Sequence, residues 1–145
     1  GARFIHIIRH PYSVFPSTQR LWRSLDQVQG LQEPAHEGLD EYVYSCLETM
    51  YTAFERQRVD LPDGAVCDVL YEDLVSDPIG QVLRIYDQLE LGALEPARKD
   101  LEKYVESQRD FKGNRYELGD EDRLLLNERW GRFFEPYGYE LEVKG

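Results

Sequence analysis

The chain has 145 residues, the size of one domain, and its hydrophobic fraction of 41% predicts a folded core. Its net charge of -11 argues against a general nucleic-acid-binding protein, and no apolar run reaches the ~20 residues that a membrane-spanning helix needs. There is no secretory signal pattern, so a cytoplasmic location is the default expectation.

The first predicted element is a strand over Ala2–Arg9, whose nearly continuous apolar run is typical of a strand covered on both faces. Residues 1–25 contain four arginines and no acidic residue, a local charge of +4 in an otherwise acidic protein. An anion would therefore be drawn to this first segment rather than to the protein in general.

A turn with two prolines follows, and then a predicted helix over Ser17–Val28. A proline inside a helix removes a backbone hydrogen bond. The helix therefore either begins at Pro11 and is kinked, or has Pro16 as its first residue. Both geometries direct Ser17 toward an anion that Arg9 would hold.

The clearest predicted helix is Leu39–Arg58, which follows a loop over Gly30–Gly38. Apolar residues recur there at steps of three and four, as on the buried face of an amphipathic helix. They are Leu39, Tyr42, Val43, Cys46, Leu47, Met50, Tyr51 and Phe54.

After a turn (LPDG), Ala65–Tyr71 is predicted as a second strand. Asp77 is a candidate helix cap with proline next to it, opening a helix over Pro78–Leu91. Further helices are predicted over Pro96–Ser107 and Asp120–Phe134, with a polar loop between them.

Two strands separated by helices predict an α/β fold, mostly helical, with parallel strands and crossover helices. The pattern shows no internal domain boundary, so residues 1–145 are predicted to form a single domain. Two strands are too few for such a sheet to stand alone. We therefore expect a missing N-terminal half, or another chain, to complete the sheet.

The end of the first strand is a candidate ligand site, because ligands of open parallel sheets bind beyond the carboxyl ends of the strands. Arg9 stands at such an end, and a guanidinium can bind a phosphate through two parallel hydrogen bonds. The alternative is an ordinary turn with an exposed arginine and capping serines. The spacing alone does not decide between the two.

The segment "IIRHPYSVFPS" resembles the 3′-phosphate-binding segment of sulfotransferases that use 3′-phosphoadenosine 5′-phosphosulfate (PAPS). The resemblance implies that Arg9 and Ser17 are the two phosphate ligands. A second block, "VLYEDLVSDPIGQVLRIYDQLEL", is similar to the family segment whose tyrosine lies against the adenine, which implies that role for Tyr71.

A third block, Asp110–Glu140, is similar to the tail of bacterial members of the superfamily. In well-known members an Arg-Lys-Gly loop there closes over the 3′-phosphate. Lys112 and Gly113 match this loop, but Phe111 stands where the arginine would be. Arg109 or Arg115 is expected to compensate.

The resemblance implies a partial P-loop-NTPase-like three-layer fold, in which this chain is the C-terminal half of a sulfotransferase domain. PAPS would be the cosubstrate, its desulfated form (PAP) the product, and a hydroxyl or an amine the unknown acceptor, with no metal. The family's phosphosulfate-binding loop and catalytic base lie upstream, and no such loop occurs here. This chain is therefore expected to hold no catalytic residue and to be inactive when isolated.

The histidines and cysteines fit this interpretation. His6 is expected on the sheet, His10 near the ligand and His36 in a solvated acidic loop, none of them as the base. Cys46 and Cys67 lack metal-ligand spacing, so we expect two buried reduced thiols.

Parts of the sequence are compatible with two other functions. "FIHIIRHP" is also similar to the opening of histidine phosphatases, but no late histidine follows and Pro11 stands where those enzymes have glycine. The remaining alternative is a non-catalytic nucleotide-binding or interaction module derived from the same fold.

Overall fold

The computed structural model describes residues 1–32, 35–109, 113–114 and 116–139. In chain order the elements are β1 (Phe4–Ile8), α1 (Pro11–Gln29), α2 (Leu39–Arg58), β2 (Val66–Leu70), α3 (Tyr71–Ser76), α4 (Pro78–Gln88), α5 (Glu95–Ser107), α6 (Asp120–Phe134) and a 3-10 helix at Glu135–Tyr137. Within these ranges no helix is both long enough and apolar enough to span a bilayer.

The chain divides into two compact units. The sheet unit comprises Gly1–Arg9 and Asp60–Asn114, and the helical unit comprises His10–Val59 and Arg115–Gly145. Each unit is assembled from two separate stretches of the chain. The division therefore does not coincide with one boundary along the sequence, where a change in composition could have marked it. The single domain expected from the sequence stays a prediction.

In the sheet unit, β1 and β2 pair in parallel, in register from Phe4 opposite Val66 to Ile8 opposite Leu70. The predicted α/β class with a small parallel sheet is thereby confirmed. One face of β2 packs against α4, where Cys67 and Val69 form a core with Ile85 and Leu89. The predicted cap of α4 is also confirmed, since Gly80 N–H donates to the Asp77 carboxylate over 3.0 Å.

The β1 strand is not covered on both faces by the described residues, as its apolar run would require. Ile8 is buried, whereas Phe4, Ile5 and Ile7 are each about half exposed. The described residues do not include a segment that covers these three side chains of the apolar run.

In the helical unit, α1 begins at Pro11 and contains Pro16. The start at Pro11 is that of the first alternative. His10 caps the helix: its Nδ1 accepts a hydrogen bond from Tyr12 N–H over 3.2 Å, and its carbonyl accepts from Ser13 N–H over 2.9 Å. Local capping by a histidine stabilises the earlier start.

The buried face of α2 differs from the predicted stripe. Tyr44 is buried, whereas Tyr42, Cys46 and Met50 are exposed. The expectation of two buried thiols is thus wrong for Cys46 and correct for Cys67. The five other members of the predicted stripe are buried or partly buried, so the helix is rotated about its axis rather than misassigned.

Aromatic packing explains this rotation. The Tyr44 ring stacks on Phe15 of α1 at 4.5 Å between centroids and meets Trp130 of α6 at 5.4 Å. Trp130 Nε1–H also donates to the Tyr44 carbonyl over 3.3 Å. Large aromatic rings bury more area than Cys46 or Met50 would, so they determine which face turns inward.

An arginine clamp joins α2 to α6. Arg129 donates to Glu48 over 2.7 and 3.0 Å and also hydrogen-bonds Glu41, while its guanidinium lies over the Tyr44 ring at 4.8 Å. The hydrogen bonds from Arg129 lower the pKa of Glu41, and those two carboxylates raise the pKa of Arg129. Burial raises the pKa of Tyr44 to about 12.

Candidate functional site

Arg9 and Tyr71 lie side by side at the carboxyl end of the sheet. Ile8 and Leu70 are paired in the parallel register, so the residues that follow them emerge at the same edge. The Arg9 Cζ atom lies 4.4 Å from the centroid of the Tyr71 ring, a cation–π contact. The sequence predicted both residues at strand ends, but not this contact.

Arg9 has no carboxylate partner among the described residues. The chain has 28 acidic residues, and other arginines of the sheet unit use them, for example Arg98 with Glu102 at 3.1 Å. Arg9 is half buried, and within the described ranges its guanidinium contacts the Tyr71 ring. A guanidinium lying over a ring keeps the N–H groups at its edge available for an anion.

Tyr71 stands one residue beyond the strand. The strand ends at Leu70, and Tyr71 is the first residue of the short helix α3, where it is half buried. The predicted strand bound, Ala65–Tyr71, is one residue too long at each end. The helical turn directs the tyrosine ring across the neighbouring strand end instead of continuing the pleat.

Ser17 belongs to the helical unit and lies in the second turn of α1, half buried. Among the described residues none hydrogen-bonds its hydroxyl. Its neighbour Thr18 differs, because the Thr18 hydroxyl donates to the Val14 carbonyl over 2.8 Å. The backbone N–H groups of Tyr12, Ser13 and Val14, in the first turn of α1, already donate to His10. The Ser17 hydroxyl is therefore a better candidate than these N–H groups for donating to an anion near the start of the helix.

The remaining predicted phosphate loop is only partly described. Gly113 is exposed and lies outside any helix, and an added Cβ would meet nothing within 4 Å. Lys112, Phe111 and Arg115 lie outside the described residues. Arg109 pairs with Glu106 at 2.7 Å, and its side chain is exposed.

Two histidines are paired with carboxylates. His6 of β1 lies 2.9 Å from Asp68 of β2, on the sheet as expected. His36 lies 3.3 Å from Asp26, and its side chain is mostly covered, so the expectation of a solvated histidine is wrong. Within the described ranges no cluster of His, Cys, Asp and Glu could hold a metal ion.

Comparison with known proteins finds one family. A model of the sulfotransferase family matches residues 1–96, a range that includes Arg9, Ser17 and Tyr71. Two curated relatives, the omega-hydroxy-beta-dihydromenaquinone-9 sulfotransferases of Mycobacterium bovis and Mycobacterium tuberculosis, are each 39% identical over 139 residues. These alignments cover 96% of this chain but 36% of each relative, so the chain spans about a third of their length. No solved structure matches significantly.

Proposed function

Because the chain belongs to the sulfotransferase family, we propose that it is the C-terminal part of an enzyme that transfers a sulfuryl group from PAPS to an acceptor. In this proposal residues 1–145 carry the 3′-phosphate and adenine side of the nucleotide site. The rest of a P-loop-like three-layer fold lies upstream. The length of the curated relatives supports this reading.

The observation that carries the proposal is that the Arg9 guanidinium has no carboxylate partner in the part of the chain that the structure describes. A half-buried cation of this kind, in a chain of net charge -11, is a site for an anion from outside the chain. Its cation–π contact with Tyr71, 4.4 Å from Cζ to the ring centroid, restrains the guanidinium at the strand end. Two N–H groups of the guanidinium can then bind two oxygens of one phosphate.

The other residues take supporting roles in the proposal. Ser17 donates its hydroxyl to the same 3′-phosphate, Tyr71 lies against the adenine, and Lys112 and Gly113 close over the phosphate. One face of the Tyr71 ring is used by Arg9, so the adenine would use the other face or the ring edge. The role of Ser17 rests on the family resemblance and on a hydroxyl that no described residue hydrogen-bonds.

The chemistry is in-line transfer of the sulfuryl group from PAPS to the acceptor, with PAP as the leaving group. Arg9, Ser17 and Tyr71 touch the leaving nucleotide and not the sulfur, so they act by binding and positioning. The loop that binds the 5′-phosphosulfate and the base that takes the acceptor proton belong to the upstream half. The isolated chain therefore has no turnover.

The acceptor is proposed to be a hydroxyl rather than an amine. Both curated relatives are named for a hydroxylated acceptor, omega-hydroxy-beta-dihydromenaquinone-9. The two classes are separated by offering the intact protein an alcohol and the matching amine with PAPS.

The test is a binding titration of PAP with the intact protein. Arg9→Ala should weaken binding by about one to two orders of magnitude, since a charged hydrogen bond contributes about 1.5–3 kcal/mol. The matched control is Arg20→Ala, which removes an exposed arginine of α1 and should change affinity by less than about twofold. Unchanged affinity in Arg9→Ala would reject the site. PAP binding without sulfuryl transfer to any acceptor would favour the non-catalytic module.

A further inference from the structure

A groove in the helical unit is lined by two aromatic rings. Trp22 of α1 and Tyr42 of α2 meet there almost at a right angle (79°), with 5.6 Å between the ring centroids. The groove is a cavity of about 340 Å³, within the ~300–1,000 Å³ range of small-molecule sites. It is called the Trp22–Tyr42 groove below.

The position of Tyr42 follows from the rotation of α2. The rotation that buries Tyr44 leaves Tyr42 50% exposed, and the Tyr42 ring lies against Trp22 instead of entering the core. The Tyr42 hydroxyl also shares a hydrogen bond with Cys46, which raises the pKa of Tyr42. The ring is therefore restrained at its hydroxyl and at its contact with Trp22, while part of its surface lines the groove.

The end of the loop before α2 forms another side of the groove. His36 Nδ1 lies 3.3 Å from the Asp26 carboxylate of α1. The Leu39 N–H, at the start of α2, donates to the His36 carbonyl over 3.2 Å. These contacts hold His36 to both helices, so the groove has walls from α1, from the loop and from α2.

The charges around the groove favour a cation. Asp26 and Glu37 line it, and none of the described lining residues is a lysine or an arginine. Asp26 is paired with His36, whereas the exposed Glu37 carboxylate has no ion-pair partner among the described residues. Arg23 of α1 lies 4.0 Å from Asp40 and does not line the groove. An anionic ligand would be repelled by this lining.

We propose that the Trp22–Tyr42 groove binds a small organic ammonium ion, with the alkyl groups of the cation against the two rings and its charge facing Glu37. The face of an aromatic ring attracts a cation, and aromatic rings are the usual receptors for quaternary ammonium groups. A metal ion fits less well, since the described ranges contain no group of His, Cys, Asp and Glu that could hold one. This site goes beyond the proposed function and does not depend on it.

Two tryptophans with different surroundings allow a direct test in the intact protein without nucleotide. Trp22 lines the groove, whereas Trp130 is fully buried and its Nε1–H donates to the Tyr44 carbonyl. The indole N–H signals of both are followed by NMR while choline is added. The Trp22 signal should shift saturably with a Kd on the order of 1 mM, and the Trp130 signal should stay in place. No saturable shift of Trp22, or an equal shift of both signals, would overturn the proposal.

A neutral analogue of choline, in which a quaternary carbon replaces the nitrogen, separates the effect of charge from that of shape. The same Trp22 shift should require roughly tenfold more of the analogue, because the rings and the carboxylates attract the cation and not the alcohol. Equal potency of choline and the analogue would identify an apolar groove and would reject ammonium binding.

Substitutions that leave Trp22 as the reporter give an independent measurement. Tyr42→Leu and Glu37→Gln should each weaken choline binding by roughly three- to tenfold, since one removes a ring and the other a charge. The control is Tyr104→Leu, which removes an exposed tyrosine of α5 (64%) and should change the Kd by less than about twofold. Unchanged choline affinity in Tyr42→Leu and Glu37→Gln would contradict the proposal. These titrations contain no PAP, so their failure is distinguishable from failure of the phosphate site.

Discussion

The Arg9 guanidinium lies over the Tyr71 ring, with 4.4 Å between Cζ and the ring centroid. The two residues are 62 positions apart in the chain and meet because Ile8 and Leu70 are partners in the parallel register. The contact gives Tyr71 a role that the sequence did not predict, as the support for the cation that would bind the phosphate. The following predictions test this site and the stability of both units.

The first prediction concerns the Tyr71 ring. In the intact protein, Tyr71→Leu should weaken PAP binding roughly ten- to a hundredfold, because it removes the face that supports Arg9 and the surface for the adenine. Tyr71→Phe keeps the ring and should bind within about twofold of wild type. A titration of both variants decides the matter, and equal affinities for the leucine and phenylalanine variants would contradict the role of the ring.

The second prediction separates two neighbouring hydroxyl groups. Ser17→Ala should weaken PAP binding by roughly tenfold or more, because a hydrogen bond to a charged phosphate is lost. Thr18→Ala is the matched control: its hydroxyl already donates to Val14, so affinity should change by less than about twofold. If both variants bind equally well, Ser17 is not a phosphate ligand.

The third prediction concerns pH and the clamp between α2 and α6. Arg129 holds the pKa of Glu41 below its ordinary value of 4.5. The clamp therefore stabilises the fold fully above about pH 4.5 and loses this contribution as the pH falls through the lower folded-state pKa. Arg129→Met should lower the free energy of unfolding at pH 7 by on the order of 1 kcal/mol and flatten the acid limb of its pH dependence.

Denaturant unfolding between pH 3 and pH 7 measures this effect. Arg98→Met is the control, since Arg98 pairs with Glu95 and Glu102 on the exposed side of one helix and should change stability by less than about 0.5 kcal/mol. An acid limb that is as steep in Arg129→Met as in wild type would show that the clamp does not contribute.

The fourth prediction concerns the buried hydroxyl of Tyr44. No described residue hydrogen-bonds it, and burial raises its pKa to about 12. The unfolded chain releases this proton more readily, from an ordinary pKa of 10.0, so stability should fall as the pH rises from about 10 and level off above about 12. Tyr44→Phe should keep the ring packing. At pH 7 it should leave the free energy of unfolding unchanged or raise it by about 1 kcal/mol, and it should reduce the loss of stability between about pH 10 and pH 12. A large destabilisation by Tyr44→Phe would mean that the hydroxyl has a partner.

Much of the site could be predicted because its residues follow strands. An apolar run that ends on an arginine, and another that ends on a tyrosine, place Arg9 and Tyr71 at one edge of any parallel sheet built from them. The helix start at Pro11 could not be chosen from sequence, because the deciding feature is the His10 side chain acting as a cap. Spacing does not reveal a histidine cap, which depends on the rotamer of one ring.

The sequence by itself determined the two strands and the helices other than α3, and that the cationic segment lies at the end of the first strand. These follow from local periodicity and from the fixed geometry of proline. Only the tertiary structure decided which side of α2 turns inward and that the Tyr71 ring contacts Arg9. Periodicity indicates that a helix or strand has an apolar face. Which residues pack against that face depends on contacts between segments that are far apart in the chain.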